Sequence, residues 1–194
     1  MIERMDLFRA LAARRTNEIV VMTMTATLQW PLVSRHELDF DFLAFGMGHA
    51  GDFGLGLALS RPERKTIVLK GDGGLLMSLG SLVTWAACAP SNLFVLLLEN
   101  RSYELTGAQP LPPRVDFVAL ARAAGFEGGG ATGAGKVERI EKLADFTGAL
   151  PRLLKEEGPH FVVLPVMTRE PLPAVNHSDH AERITKLRHA LGVA

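Results

Sequence analysis

The chain has 194 residues, 47% of them apolar, and its 21 basic and 21 acidic side chains leave no net charge. That length and apolar share fit one globular domain with a sizeable core and exclude a disordered chain. The balanced charge gives no electrostatic basis for nucleic-acid or membrane binding, a lone cysteine (Cys88) excludes a disulfide framework, and no run approaches the roughly 18 apolar residues of a membrane span.

Met1 to Arg15 has mixed charge and no secretion-signal pattern, so a soluble cytoplasmic protein is expected. Met5, Phe8, Leu11 and Ala12 recur at helical spacing and predict an amphipathic helix over 4–15. Ile19 to Met22 reads as a strand, Thr23 to Thr27 as a threonine-rich connection, and Phe40 to Phe45 as a second strand. Gly46 to Leu59 reads as a helix whose small residues let its backbone approach a neighbour closely. Thr66 to Leu69 is a β-branched apolar strand, broken by Gly71-Asp72-Gly73-Gly74. Leu75 to Ala89 has helical length and stops at Pro90, and Leu93 to Leu98 reads as a strand buried on both faces. A polar loop is expected over 100–115, a helix over 116–124, and a turn-like segment from Gly128 to Gly135. A helix over 144–156 carries an irregularity at Pro151, and Phe161 to Val166 is a buried strand. Pro171 and Pro173 mark a linker, and Ser178 caps a final charged helix. Strands alternating with helices predict a single α/β domain over 1–194, with a mostly parallel sheet between helical layers.

In open α/β sheets ligands bind beyond the carboxyl ends of the strands. Two loops lie at such ends. Lys70-Gly71-Asp72-Gly73-Gly74 follows the strand Thr66–Leu69, and Glu99-Asn100-Arg101-Ser102-Tyr103 follows Leu93–Leu98. The glycines let backbone N–H groups approach an anion, and a helix starting near Leu75 would add its positive dipole end. Asp72 offers a carboxylate oxygen and Asn100 a neutral one, a donor set suited to magnesium, which takes about six oxygens and commonly shares them with phosphates. Either loop alone also reads as an ordinary turn.

Gly71-Asp72-Gly73, then 26 residues, then Asn100 resembles the motif of thiamine diphosphate enzymes. The resemblance implies the diphosphate-binding (PP-type) fold, with Asp72, Asn100 and the Ser102 carbonyl as magnesium ligands. Gly73 and Gly74 are implied as N–H donors to the diphosphate, with Gly71 and Tyr103 beside it. Gly46-Met47-Gly48 resembles the segment that holds the cofactor bent, with Met47 as the wedge between its rings and the Phe45 carbonyl as acceptor for its aminopyrimidine. Thr23 and Thr25 fall where such proteins often touch the diphosphate. More narrowly, Phe45–Leu59, Lys70–Ala89 and Leu97–Pro110 resemble sulfopyruvate decarboxylase β subunits and the C-terminal half of phosphonopyruvate decarboxylases. Tyr103 to Pro110 matches a segment of that group with Ala108 in place of a glycine, and Arg101 stands where a small residue is common.

The resemblance implies thiamine diphosphate and Mg2+ as cofactors and decarboxylation of a small 2-oxo acid. It also implies a separate partner chain, carrying the pyrimidine-binding domain and the glutamate that activates the cofactor, and hence a hetero-oligomer. In isolation the chain is expected as a homodimer or larger. The catalytic glutamate is expected from the partner and none in this chain. An acetolactate synthase-like carboligase subunit and a cofactor-binding module without turnover are the alternative readings. A 2-oxo acid:ferredoxin oxidoreductase subunit is disfavoured by the lone cysteine, and a dinucleotide-binding domain by the missing third glycine.

Overall fold

The computed structural model describes residues 1–41, 46–167 and 180–193. The chain runs α1 (Arg4–Ala12), β1 (Ile19–Met22), α2 (Thr25–Gln29), β2 (Asp39–Asp41), α3 (Ala50–Ser60), β3 (Thr66–Gly71), α4 (Asp72–Met77) and α5 (Ser81–Cys88). It continues through β4 (Leu93–Glu99), β5 (Ser102–Tyr103), β6 (Gln109–Pro110), α6 (Phe117–Ala123), β7 (Lys136–Arg139), α7 (Leu143–Lys155), β8 (His160–Pro165) and α8 (His180–Ala190). Six strands form a parallel sheet in the order β2-β1-β3-β4-β8-β7, and β5 pairs antiparallel with β6. Ile2 adds a parallel bridge at Val166, just beyond the carboxyl end of β8. Its N–H donates to the Pro165 carbonyl at 2.8 Å and its own carbonyl accepts from Met167 N–H at 3.0 Å.

The central strands are largely apolar and buried throughout because both faces of the sheet are covered. Alternate residues point to opposite sides. Val20, Ile67, Phe94, Leu96 and Val162 pack with Leu7, Phe8 and Leu11 of α1, Trp30, and Phe146, Leu150 and Leu153 of α7. Val21, Val68, Val95, Leu97 and Val163 pack with α3, α5, α6 and Leu187 of α8. The fold is the α/β arrangement with a largely parallel sheet expected from the pattern of elements. The small residues of α3 do what their size permits. A Cβ at Gly51 would lie 2.0 Å from the Trp85 ring, and one at Gly54 would lie 2.4 Å from Val68 Cγ2.

Several boundaries differ from the sequence reading. α1 stops at Ala12 rather than running to 15, because Arg15 turns inward to the Asp39 carboxylate and the Glu18 carbonyl. α2 begins within the threonine-rich connection and runs on to Gln29. β2 begins at Asp39, and the remainder of the expected strand to Phe45 lies outside the described residues. The helix expected from Gly46 starts at Ala50, after a turn. The helix expected over Leu75–Ala89 is two helices, the first beginning at Asp72; the break falls at Ser78, whose hydroxyl donates to the Gly48 carbonyl at 2.5 Å. The loop over 100–115 folds on itself as the β5–β6 hairpin. β7 has no counterpart in the sequence reading: it is an edge strand whose only buried side chain is Val137, so it carries no apolar run. Pro151 sits inside α7, which continues to Lys155. Cys88 is exposed. Pro171, Pro173 and Ser178 lie outside the described residues. Among the described residues no helix is long and apolar enough to cross a membrane.

Two stability predictions follow from this packing. Gly51→Ala should lower the denaturant midpoint by the equivalent of about 1–3 kcal/mol, the usual cost of overpacking, with a change in Trp85 fluorescence. His160, fully buried, has its pKa lowered from 6.5 to about 4, chiefly by burial and next by the Lys65 charge. The unfolded chain therefore binds more protons between those values, so stability rises with pH across that window. It is complete above about 6.5 and lost as pH falls towards 4. Wild type should lose about 3 kcal/mol through this one group, and His160→Phe should flatten that part of a pH series of urea melts.

Candidate functional site

Because the sheet is parallel, the carboxyl ends of β1, β3 and β4 open on one edge. β3 and β4 are in register from Thr66↔Leu93 to Gly71↔Leu98, which sets Asp72 beside the turn that begins at Asn100. A pocket on this edge is lined by Thr25, Gly71–Gly74, Asn100, Ser102, Tyr103 and Glu104, with Thr23 and Arg4 at its walls.

Asp72 is 1% exposed. One carboxylate oxygen accepts from the Gly73 N–H at 2.8 Å, the other from the Arg101 N–H at 2.7 Å. Burial pushes its pKa up from 3.8 to about 6, against the pull of those two N–H groups. Arg101 reaches this position with φ at 60°, a left-handed backbone that non-glycine residues adopt at a cost. Its guanidinium is occupied by Glu99, the Val115 carbonyl at 2.8 Å and the Phe117 ring, away from the pocket. Asn100 accepts from the Ser102 N–H at 3.0 Å through Oδ1 and donates through Nδ2 to Glu104 Oε2 at 3.2 Å. The same Glu104 oxygen accepts from the Thr25 hydroxyl at 2.9 Å and is 3.1 Å from Arg4. The buried Arg4 also donates to Gln29 Oε1 at 3.0 Å and to the Met167 carbonyl at 3.3 Å.

The glycines make room for neighbours. A Cβ at Gly73 would lie 2.7 Å from the Tyr103 ring, and one at Gly74 would lie 3.2 Å from the Met47 carbonyl. Gly71 faces open space. Ala108 has φ at 57°, the backbone region that glycine occupies most easily. α4 is only six residues long, so the dipole expected of a long helix from Leu75 is not available here.

Met47 is 44% exposed on a turn beside the pocket, and its carbonyl accepts from the Thr23 hydroxyl at 3.4 Å. Lys70 and Ser78 both donate to the Gly48 carbonyl on the same turn. Lys70 is fully buried, 5.4 Å from the Trp85 ring centre, and burial lowers its pKa to about 8 against the opposing charge of Asp52. His49 meets Asp52 at 2.5 Å and stays largely exposed.

Of the residues singled out from sequence, Thr25, Gly71, Asp72, Gly73, Gly74, Asn100, Ser102 and Tyr103 share the one pocket. Met47 stands at its margin, and Phe45 lies outside the described residues. Sequence reasoning missed two residues. Glu104 lies inside the quoted Tyr103–Pro110 segment but has no motif role. Arg4 carries no signal in an amphipathic first turn. Among the described residues no group of three or more His, Cys, Asp or Glu side chains forms a metal cluster, so any cation here needs amide, backbone and ligand oxygens too.

Residues 19–164 match the family described as "Thiamine pyrophosphate enzyme, C-terminal TPP binding domain". The chain is 35% identical to sulfopyruvate decarboxylase subunit beta of Methanothermobacter thermautotrophicus, over 86% of this chain and 83% of that one. It is 37% identical to phosphonopyruvate decarboxylase of Streptomyces hygroscopicus, over 84% of this chain but only 39% of that longer protein. The crystal structure of benzoylformate decarboxylase from Polynucleobacter necessarius shares the fold, with a TM-score of 0.69 at 18% identity, covering 90% of this chain and 34% of that one. The parallel sheet, the paired loops at its carboxyl edge and the match over most of the chain assign this protein to the thiamine pyrophosphate enzyme family, as a TPP binding domain.

Proposed function

We propose that this chain is the diphosphate-binding subunit of a two-chain thiamine diphosphate decarboxylase acting on a small 2-oxo acid with an anionic tail, sulfonate or phosphonate. Residues 19–164 match one such domain. The carrying observation is the meeting of Asp72 and Asn100 at one pocket, each buried and each oriented by a backbone N–H of the Arg101–Ser102 turn. Similarity to a protein named subunit beta over 83% of its length supports the two-chain reading.

The donor set fits a hard cation. Asp72 is a buried carboxylate whose desolvation a cation would relieve. One carboxylate, one amide oxygen and the Ser102 carbonyl leave sites for two diphosphate oxygens and a water around magnesium. When bound, thiamine diphosphate supplies a carbanion nucleophile and an electron sink. This chain binds and orients. Asp72, Asn100 and Ser102 hold the metal, Gly71, Gly73 and Gly74 keep side chains out of the diphosphate's way, and Tyr103 and Thr25 border it. Met47, exposed on the neighbouring turn, would sit against the cofactor's rings. The partner chain brings the pyrimidine-binding domain, its activating glutamate and the counter-charge for the substrate tail, since the Arg101 guanidinium is held elsewhere.

Two experiments test this reading. Calorimetric titration of thiamine diphosphate into the chain plus its partner should give binding that requires magnesium and disappears in Asp72→Ala. Gly73→Ala, by displacing the Tyr103 ring, should weaken it about tenfold, or about 1.4 kcal/mol. Magnesium-independent binding, or none with the partner present, sinks the proposal. Carbon dioxide release by the two-chain protein should have a higher kcat/KM on sulfopyruvate or phosphonopyruvate than on pyruvate. A preference for pyruvate would overturn the assigned substrate class.

A further inference from the structure

The side-chain amide of Asn100 has two orientations that differ in which atom, oxygen or nitrogen, is offered as a ligand. X-ray density at ordinary resolution seldom distinguishes them, but hydrogen-bond chemistry does. On one side the amide meets the Ser102 N–H, a donor, at 3.0 Å. On the other it meets the Glu104 carboxylate, an acceptor, at 3.2 Å. Only with Oδ1 towards Ser102 and Nδ2 towards Glu104 are both contacts satisfied. Rotating the amide by half a turn would set donor against donor and acceptor against acceptor.

Glu104 is itself held firmly. Its side chain is 8% exposed, it accepts from the Thr25 hydroxyl at 2.9 Å, and it pairs with Arg4, whose side chain is 2% exposed. Arg4 is in turn fixed by Gln29 on α2 and by the Met167 carbonyl beyond β8. A carboxylate buried in this way needs its charged partner, and the partner needs the carboxylate. The acceptor facing Asn100 is therefore held in place by contacts with Arg4 and Thr25 that involve no ligand.

We propose that Glu104, anchored by Arg4 and Thr25, is a positioning residue that locks the Asn100 amide with its oxygen available to a cation beside Asp72. The metal clause rests on reading Asp72 and Asn100 as metal ligands. Outer-sphere partners that fix a ligand's orientation typically change metal affinity 10–100-fold when removed.

Glu104→Ala removes the acceptor altogether. Glu104→Gln keeps the shape but removes the charge opposite Arg4 and replaces one carboxylate oxygen by an NH2 group, a donor set against the donors of Arg4 or of Asn100 and Thr25. Two readouts separate this role from a merely structural one. The first needs no cofactor: the Asn100 side-chain NH2 pair in 1H–15N spectra, identified by its loss in Asn100→Asp. In wild type one proton of the pair should be shifted downfield and slow to exchange; both features should be lost in Glu104→Ala and weaken in Glu104→Gln, whose acceptor is neutral. The second is the magnesium titration with thiamine diphosphate and the partner chain, run well below each variant's melting temperature. The magnesium Kd should rise 10–100-fold in Glu104→Ala and by a smaller factor in Glu104→Gln. A folded Glu104→Ala with both the amide pair and the magnesium Kd unchanged overturns the proposal, as does a drop in melting temperature alone. If wild type with its partner takes up no magnesium, the functional reading fails and the amide pair alone decides whether the lock exists.

Discussion

The hydrogen bond from the Arg101 N–H to the Asp72 carboxylate is the contact on which the site depends. It joins the ends of β3 and β4, strands that lie in register over six residue pairs. A carboxylate removed from water needs compensating donors, and here backbone N–H groups provide them. To present its N–H, Arg101 adopts a left-handed backbone, and that bend aims Asn100 and Ser102 back at the same pocket. Sheet register, burial of one acid and the course of the following turn are thus one constraint seen at three scales.

The sheet's aliphatic strands were legible because burial on both faces leaves a continuous apolar run, as in Ile19–Met22 and Leu93–Leu98. β7 was not, because an edge strand with one buried valine leaves only charged residues to read. The helix after β3 was read as continuous because composition carries no trace of the Ser78 hydroxyl reaching the Gly48 carbonyl, a contact between segments 30 residues apart. Asp72 and Asn100 were legible as a pair because their spacing encodes strand, crossover, strand. Glu104 and Arg4, exactly 100 positions apart, meet only through tertiary folding.

The turn bearing Met47 is built from the same economy of space. Gly48 is hemmed in by Ser78, its carbonyl receives a buried lysine, and that lysine lies over Trp85, which in turn fills the gap left by Gly51. One continuous run of contacts therefore leads from the helical layer to the margin of the pocket. Substitutions at Gly51 or Trp85, though remote from Asp72, act on the turn that faces the cofactor in the proposed assembly.

The bridge from Ile2 to Val166 brings the beginning of α1 to the carboxyl edge of the sheet, the edge on which the pocket opens. Met1 is 82% exposed there. For gene fusion this geometry is favourable: a domain joined ahead of Met1 by a short flexible linker would be delivered to the rim of the site at an effective concentration on the order of millimolar, without any new contact.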